Sequence, residues 1–177
     1  MPDFDFESRI IDIPDYPEPG VVFKDITPLF DDAEALAAVV DHIASHFANR
    51  GVTKVVGAEA RGFLVGVPVA YKLGCGFVPA RKPGKLPREV YSQSYALEYG
   101  TDELQIHKDA LVHDDRVLVV DDLIATGGTA VACAQLVEQA GATLEGFSFI
   151  LELAFLHARE VVAREFDQEM FTLVQVD

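Results

Sequence analysis

The chain has 177 residues, half of them hydrophobic, and carries 29 acidic against 14 basic side chains for a formal net charge of −15. One domain with a real core is the expectation at this length, and the acidity argues against general binding to nucleic acid or anionic membrane, so any anionic ligand must meet a local concentration of cations. No run approaches the ~20 apolar residues of a membrane span, the opening Met-Pro-Asp-Phe-Asp-Phe-Glu lacks the basic and apolar stretches of a signal peptide, and Cys75 and Cys133 form no metal or redox spacing; a cytoplasmic protein with two buried thiols is the reading.

Residues 12–20 hold three prolines and a closing Gly20 and are expected to run irregularly over the surface. Residues 31–50 read as a helix, with Asp31 and Asp32 as cap candidates and an apolar stripe of Leu36, Val39, Val40, Ile43 and Phe47. His42 and His46 on it have a metal-like spacing. Ile43 stands where a zinc protease needs Glu and no third ligand is evident, so two solvent-facing histidines are expected. A short strand over 53–57, a turn at 59–62, a helix over 63–73 ended by Gly74 and a strand over 76–80 follow. Residues 81–88 look like a mobile loop. From Tyr91 apolar residues fall on odd positions, Gly100-Thr-Asp102 signals a turn, and 103–107 alternate again, which is a hairpin pattern. A strand over 116–120, a helix over 128–140 ended by Gly141 and a strand over 144–151 complete the series. Strand–helix–strand repetition implies an open α/β fold with a parallel sheet, which binds ligands at the carboxyl ends of its strands.

The segment Val117-Leu-Val-Val-Asp-Asp-Leu-Ile-Ala-Thr-Gly-Gly-Thr-Ala130 holds the most chemistry. A β-branched run meets two adjacent carboxylates, which repel one another unless a cation or hydroxyl partners them. The following glycines let backbone amides converge on an anion, and the start of a helix adds partial positive charge. It is neither a Walker loop nor a Gly-x-Gly-x-x-Gly fingerprint. Such a layout suits a phosphorylated sugar: acids for ribose hydroxyls, amides for a terminal phosphate. Arg81, Lys82, Lys85 and Arg88 lie within eight residues that contain no acid, and Arg61 follows a strand beside Gly62; both places suit a polyanion.

The 117–130 segment resembles the phosphoribosyl-pyrophosphate (PRPP) motif of type I phosphoribosyltransferases. Pro19-Gly-Val-Val-Phe-Lys-Asp-Ile-Thr-Pro28, Val56-Gly-Ala-Glu-Ala-Arg-Gly-Phe63, Arg81-Lys-Pro-Gly-Lys-Leu-Pro87 and Ser94-Tyr-Ala-Leu-Glu-Tyr-Gly100 are similar to adenine phosphoribosyltransferases, in order and over nearly the whole chain. The resemblance implies an α/β type I phosphoribosyltransferase fold in one domain, 1–177: a central parallel sheet flanked by helices, a hood from about 1–30 and 152–177, and a flexible hairpin lid over about 81–107. It implies purine salvage, adenine plus PRPP giving AMP and pyrophosphate, with Mg²⁺ carried by PRPP rather than by a protein site, and a homodimer across which some basic groups are offered. Asp121 and Asp122 would hold the ribose hydroxyls. Ala125, Thr126, Gly127, Gly128 and Thr129 would hold the 5′-phosphate, and Arg61, Arg81, Lys82 and Lys85 the pyrophosphate. Adenine would stack between Phe23 and Leu153, with backbone groups near Val22 and Lys24 reading its edge. Glu98, alongside Arg61, would be catalytic, moving the proton at adenine N9. A transferase for another base (xanthine, hypoxanthine or orotate), a PRPP-sensing regulator and a non-catalytic structural subunit are the competing readings. The Leu-Glu-Tyr-Gly hairpin and the Phe23 segment favour adenine. The chain lacks the basic face a regulator would need, and a structural subunit would have no reason to keep the cationic loop. Two departures from the family pattern, Asp114-Asp115 before the 117 strand and His157-Ala-Arg159 near the hood, touch no catalytic position.

Overall fold

A computed structural model describes residues 4–96 and 100–177. Its centre is a five-stranded parallel sheet in the order β4-β3-β7-β8-β9. The strands are β3 (Lys54–Ala58), β4 (Gly76–Ala80), β7 (Arg116–Ile124), β8 (Thr143–Leu153) and β9 (Met170–Val176). Period-two alternation along β7 sends Val117 and Val119 into one core and Leu118 and Val120 into the other. On the first face lie α4 (Gly128–Gln139), the hairpin β5 (Val90–Ala96) and β6 (Thr101–His107), and the short α5 (Ala158–Val162). On the second lie α2 (Ala33–Phe47) and α3 (Arg61–Leu73) with Phe6 of the amino-terminal segment. Both faces are covered, as a parallel sheet requires.

Several elements differ in extent from the sequence reading. Residues Pro28–Asp31 form a separate single turn, α1, and α2 begins at Ala33, where Asp32 (φ −95°, ψ 120°) accepts from the Ala35 amide at 2.9 Å as its cap. The proline-bounded segment is less irregular than expected: β1 (Ile11–Pro14) and β2 (Val22–Asp25) pair antiparallel, with Ile13 opposite Phe23. Pro14 is tolerated because this two-stranded ribbon is all edge. The expected carboxyl-terminal hood contributes a strand to the central sheet, since β9 pairs with β8 over Phe147–Leu153. Asp115, 7% exposed, accepts from Thr53 Oγ1 at 2.7 Å and the Val112 amide at 2.9 Å, and so closes the entry to β7.

The two helix histidines do not face solvent as expected. His42 Nδ1 lies 2.8 Å from the Ala38 carbonyl and its ring meets Phe6 edge-on. His46 stacks on Phe171 at 4.0 Å and approaches Glu169 at 3.0 Å. They are packing residues at the edge of the second core. Cys133 is buried and Cys75 half-buried, both free, and burial pushes both thiols up from their ordinary range. Among the described residues no helix is long and apolar enough to cross a membrane.

Candidate active site

The acidic pair sits inside β7, because the strand runs on to Ile124 rather than ending at 120. The chain then turns through Ala125–Gly127 and enters α4, with Gly127 left-handed at φ 88°. First-turn amides of α4 lack intrahelical partners, so the turn and helix start offer donors and a positive dipole end to an anion. Asp121, Asp122 and Ala125 to Thr129 line one cavity of about 260 Å³ together with Glu59, Arg61 and Tyr95.

Three observations describe the acids. Asp121 Oδ1 accepts from the Asp122 amide at 2.9 Å. Burial, followed by the adjacent charge of Asp122, raises the Asp121 carboxyl well above the usual carboxylate range. Asp122 is 2% exposed, and Arg61 Nε stands 2.9 Å from its Oδ2, yet that oxygen receives no aligned hydrogen bond. A buried acceptor with charge nearby and no aligned donor is what a ligand hydroxyl satisfies. Gly62 gives these acids room: a Cβ there would lie 2.8 Å from Asp121 Oδ1.

Of the expected cations only Arg61 lines the cavity; Arg81 and Lys82 are paired beside it through Glu59 and Tyr95, which do line it, and Lys85 is exposed. Arg81 is held by backbone bonds in both directions with Gln105 at 2.8 Å, and its Nε donates to Glu59 Oε2 at 2.7 Å. Glu59 Oε1 also accepts from the Lys82 amide at 2.9 Å. Burial works to raise Glu59, but Arg81 and the Lys82 amide outweigh it and hold the carboxyl below its ordinary value, with Lys85 adding to the same effect. Lys82 Nζ is paired with Asp102 of β6 and donates to Tyr95 Oη at 3.1 Å. Arg88 pairs outside the cavity, with Asp109. Arg81 and Lys82 are thus anchored, whereas the sequence suggested a loose loop. The hairpin is docked too: Leu104 and Ile106 are buried, and at the turn end of β5 the Ala96 carbonyl lies 3.2 Å from where a Gly128 Cβ would stand. Glu98 lies outside the described residues.

A second cavity of about 280 Å³ shares Arg61 and Asp122 with the first. Its walls are mostly apolar, from Ile13, Tyr16, Phe23, Ile26, Phe30 and Leu64. Tyr16 meets the Phe23 ring edge-on at 5.3 Å. The acidic pair thus stands at the junction of the two cavities. Leu153, at the end of β8, is half-buried and packs in the second core rather than lining this cavity. Val22 is exposed, and Lys24 Nζ is held by Asp12 at 2.7 Å.

The model of the phosphoribosyl transferase domain matches residues 25–174. Adenine phosphoribosyltransferase of Aeromonas salmonicida is 57% identical over 85% of this chain and 83% of its own length. The chain belongs to the adenine phosphoribosyltransferase family. The crystal structure of the family member from Thermoanaerobacter pseudethanolicus superposes with a TM-score of 0.90 at 46% identity, covering 97% of this chain and 98% of that one. The Saccharomyces cerevisiae member, solved with an iminoaltritol bisphosphate and adenine, superposes at 0.88 with 38% identity over 96% of each chain. The fold is therefore that of the type I phosphoribosyltransferases. Within this phosphoribosyltransferase, sequence reasoning missed Glu59, Tyr95 and Asp102, which hold the cations, and Tyr16, which backs Phe23. Glu59 had a signal, an acid in a tight turn beside Arg61. Asp102 had none, being one polar residue in a turn.

Proposed function

We propose that this chain carries out purine salvage, transferring the 5-phosphoribosyl group of PRPP to adenine to give AMP and pyrophosphate, with the residues above in the roles their chemistry suits. The observation that carries this reading is the acidic pair with its unsatisfied buried oxygen, standing directly before the glycine cradle and between two adjoining cavities. Asp121 and Asp122 accept from the ribose hydroxyls, and their charge favours the positive character that develops at the anomeric carbon. Ala125 to Thr129 hold the 5′-phosphate through backbone amides and the hydroxyls of Thr126 and Thr129. Arg61, Arg81, Lys82 and Lys85 take the leaving pyrophosphate. Adenine lies against Phe23, with the backbone near Val22 and Lys24 reading its edge; the expected second wall, Leu153, packs in the second core instead. Glu98 handles the proton at N9.

Mg²⁺ travels with PRPP, where it neutralises pyrophosphate oxygens. Among the described residues no group of three or more ligating side chains gathers to hold a metal, and the paired carboxylates suit hydroxyls or waters around such an ion. The segment 81–107 serves as the lid. The turn end of β5, at Ala96, lies against Gly128, so the hairpin covers the cradle and excludes water where PRPP would otherwise hydrolyse. Residues 1–30 and 152–177 shape the base subsite. A homodimer is supported by the outer face of α3, where Leu64, Val67 and Tyr71 are 54%, 49% and 87% exposed. Two free thiols suit a reducing compartment such as the cytoplasm.

The test is incubation with PRPP, Mg²⁺ and an equimolar mixture of adenine, hypoxanthine, guanine and xanthine, with chromatographic readout of the nucleotides. AMP as the dominant product is the expected result. Formation of another nucleotide in excess of AMP, or of none, refutes the reading.

A further inference from the structure

Outside both cavities, one carboxylate carries more hydrogen bonds than the acids of the site. Glu152, on the penultimate residue of β8, is 2% exposed. Arg159 Nε donates to its Oε1 at 2.8 Å and to Oε2 at 3.0 Å, and Arg159 Nη2 reaches Oε2 at 2.6 Å. Thr172 Oγ1 of β9 donates to the same Oε2 at 3.2 Å, and Arg159 Nη1 donates to the Met170 carbonyl at 3.0 Å. One guanidinium therefore ties α5 to β8 and β9 at once.

What α5 does explains why such a tie matters. It has only five residues, too few to persist without tertiary support. Its entry residue, His157, has φ 55°, a left-handed conformation uncommon for non-glycine residues. Yet this short element forms the back wall of the cradle: a Cβ on Gly127 would lie 3.3 Å from the Ala158 carbonyl and 3.5 Å from both Val161 and Val162 side chains. At the other end of the tie, Glu152 immediately precedes Leu153, and both are held in register with β9, opposite Gln175 and Val176.

We propose that Glu152 and Arg159 are positioning residues, a clamp between a buried carboxylate and a half-exposed guanidinium that sets the wall behind the 5′-phosphate. The inference rests on the reading of Gly127 as part of the phosphate cradle. Arg159 lines neither cavity; it acts through α5. Replacing its planar fork with an ammonium keeps the charge but removes the two-point contact. The wall then relaxes by a fraction of an ångström, enough to weaken PRPP binding.

The test compares Arg159→Lys, Thr172→Val and a core control, Ile43→Val on α2, in the full chain, by melting temperature, kcat, and KM for PRPP and for adenine. Arg159→Lys is expected to raise KM for PRPP about tenfold with kcat within about threefold and KM for adenine little changed, while Ile43→Val lowers the melting temperature and leaves both KM values unchanged. Should Arg159→Lys not fold, Thr172→Val removes one donor to the same oxygen and is expected to raise KM for PRPP about threefold. A KM for PRPP that moves no more in these variants than in Ile43→Val overturns the proposal. Gly127→Ala separates the premise from the inference. If it leaves KM for PRPP unchanged, the cradle reading fails and the clamp with it. If it raises KM while Arg159→Lys and Thr172→Val do not, the clamp alone fails.

Discussion

Gly62→Ala is the substitution whose outcome the geometry constrains best. In a bare helix the change stabilises by up to ~1 kcal/mol, because alanine gives up less backbone entropy. Here the new methyl would stand 2.8 Å from Asp121 Oδ1, 3.2 Å from Asp121 Cγ and 3.2 Å from the Val120 carbonyl. The carbonyl belongs to β7 and cannot yield, so the carboxylate must move by roughly half an ångström to reach ordinary contact. The oxygen that moves is the one accepting from the Asp122 amide at 2.9 Å. Weakening a hydrogen bond to a charged group costs about 1.5–3 kcal/mol. Set against the helix gain, the net loss is about 1–2 kcal/mol, which for a chain of this size is a fall of roughly 2–8 °C in melting temperature. With Asp121 as the proposed ribose acceptor, its displacement is expected to drop kcat/KM for PRPP about tenfold. Differential scanning fluorimetry and steady-state kinetics at saturating adenine measure the two quantities. A variant at least as stable as the parent, with kcat/KM unchanged, would mean that the acids do not need the space glycine leaves, and the close-approach argument would be refuted.

Asp121→Asn is expected to stabilise the free protein by about 0.5–2 kcal/mol at neutral pH while weakening PRPP binding about a hundredfold. The folded carboxyl titrates above its unfolded value, so the native state holds the proton more tightly. The parent therefore loses stability as pH rises from the unfolded value through the raised one, and the variant does not; melting curves across that range that run parallel for the two proteins would contradict this. Glu98→Gln is expected to lower kcat ~10²–10⁴-fold if Glu98 transfers a proton, and turnover within threefold of the parent removes that role. Phe23→Ala should raise KM for adenine about tenfold or more, as the loss of an aromatic wall implies, with KM for PRPP unchanged; equal adenine affinity by calorimetry would remove the stacking role.

The parts of the fold that were legible in the sequence are those in which local pattern and tertiary environment agree. The β-branched run before Asp121 had to be a buried strand, and glycines after it had to be a turn into a helix, so this strand–turn–helix unit could be located without coordinates. The stripe on α2 and the glycine stop after α3 were equally readable, whereas α2 ends at Phe47 with Ala48 as its cap, short of the expected Gly51. What escaped depended on distant partners. Met170–Val176 is a short apolar run whose place in the central sheet follows only from pairing with β8. β1 and β2 form a ribbon despite their prolines because Ile13 and Phe23 oppose each other. The resemblance supplied roles for Arg81 and Lys82, but Glu59 and Asp102, their partners 22 and 20 residues away, are a product of the fold. His46 looked solvent-facing because Phe171, which covers it, lies on the last strand.

The paired cations resolve an apparent conflict between an acidic protein and a polyanionic donor. A chain with a formal charge of −15 repels PRPP at long range, so the site itself must supply the attraction. Loose cations would do this poorly, since ordering a free arginine or lysine on binding costs ~1–2 kcal/mol of side-chain entropy. In this structure Arg61, Arg81 and Lys82 are already oriented by Asp122, Glu59 and Asp102. Their side chains remain 55%, 36% and 36% exposed, so each pair is screened and contributes little to stability. On the proposed reading, an incoming pyrophosphate group would exchange one anionic partner for another and meet donors that are already in place, which is how preorganisation increases affinity without added contact area. Glu59 and Asp102 stay charged to low pH because these same cations depress their carboxyls, so the arrangement persists across the neutral range in which the ligand carries its full negative charge.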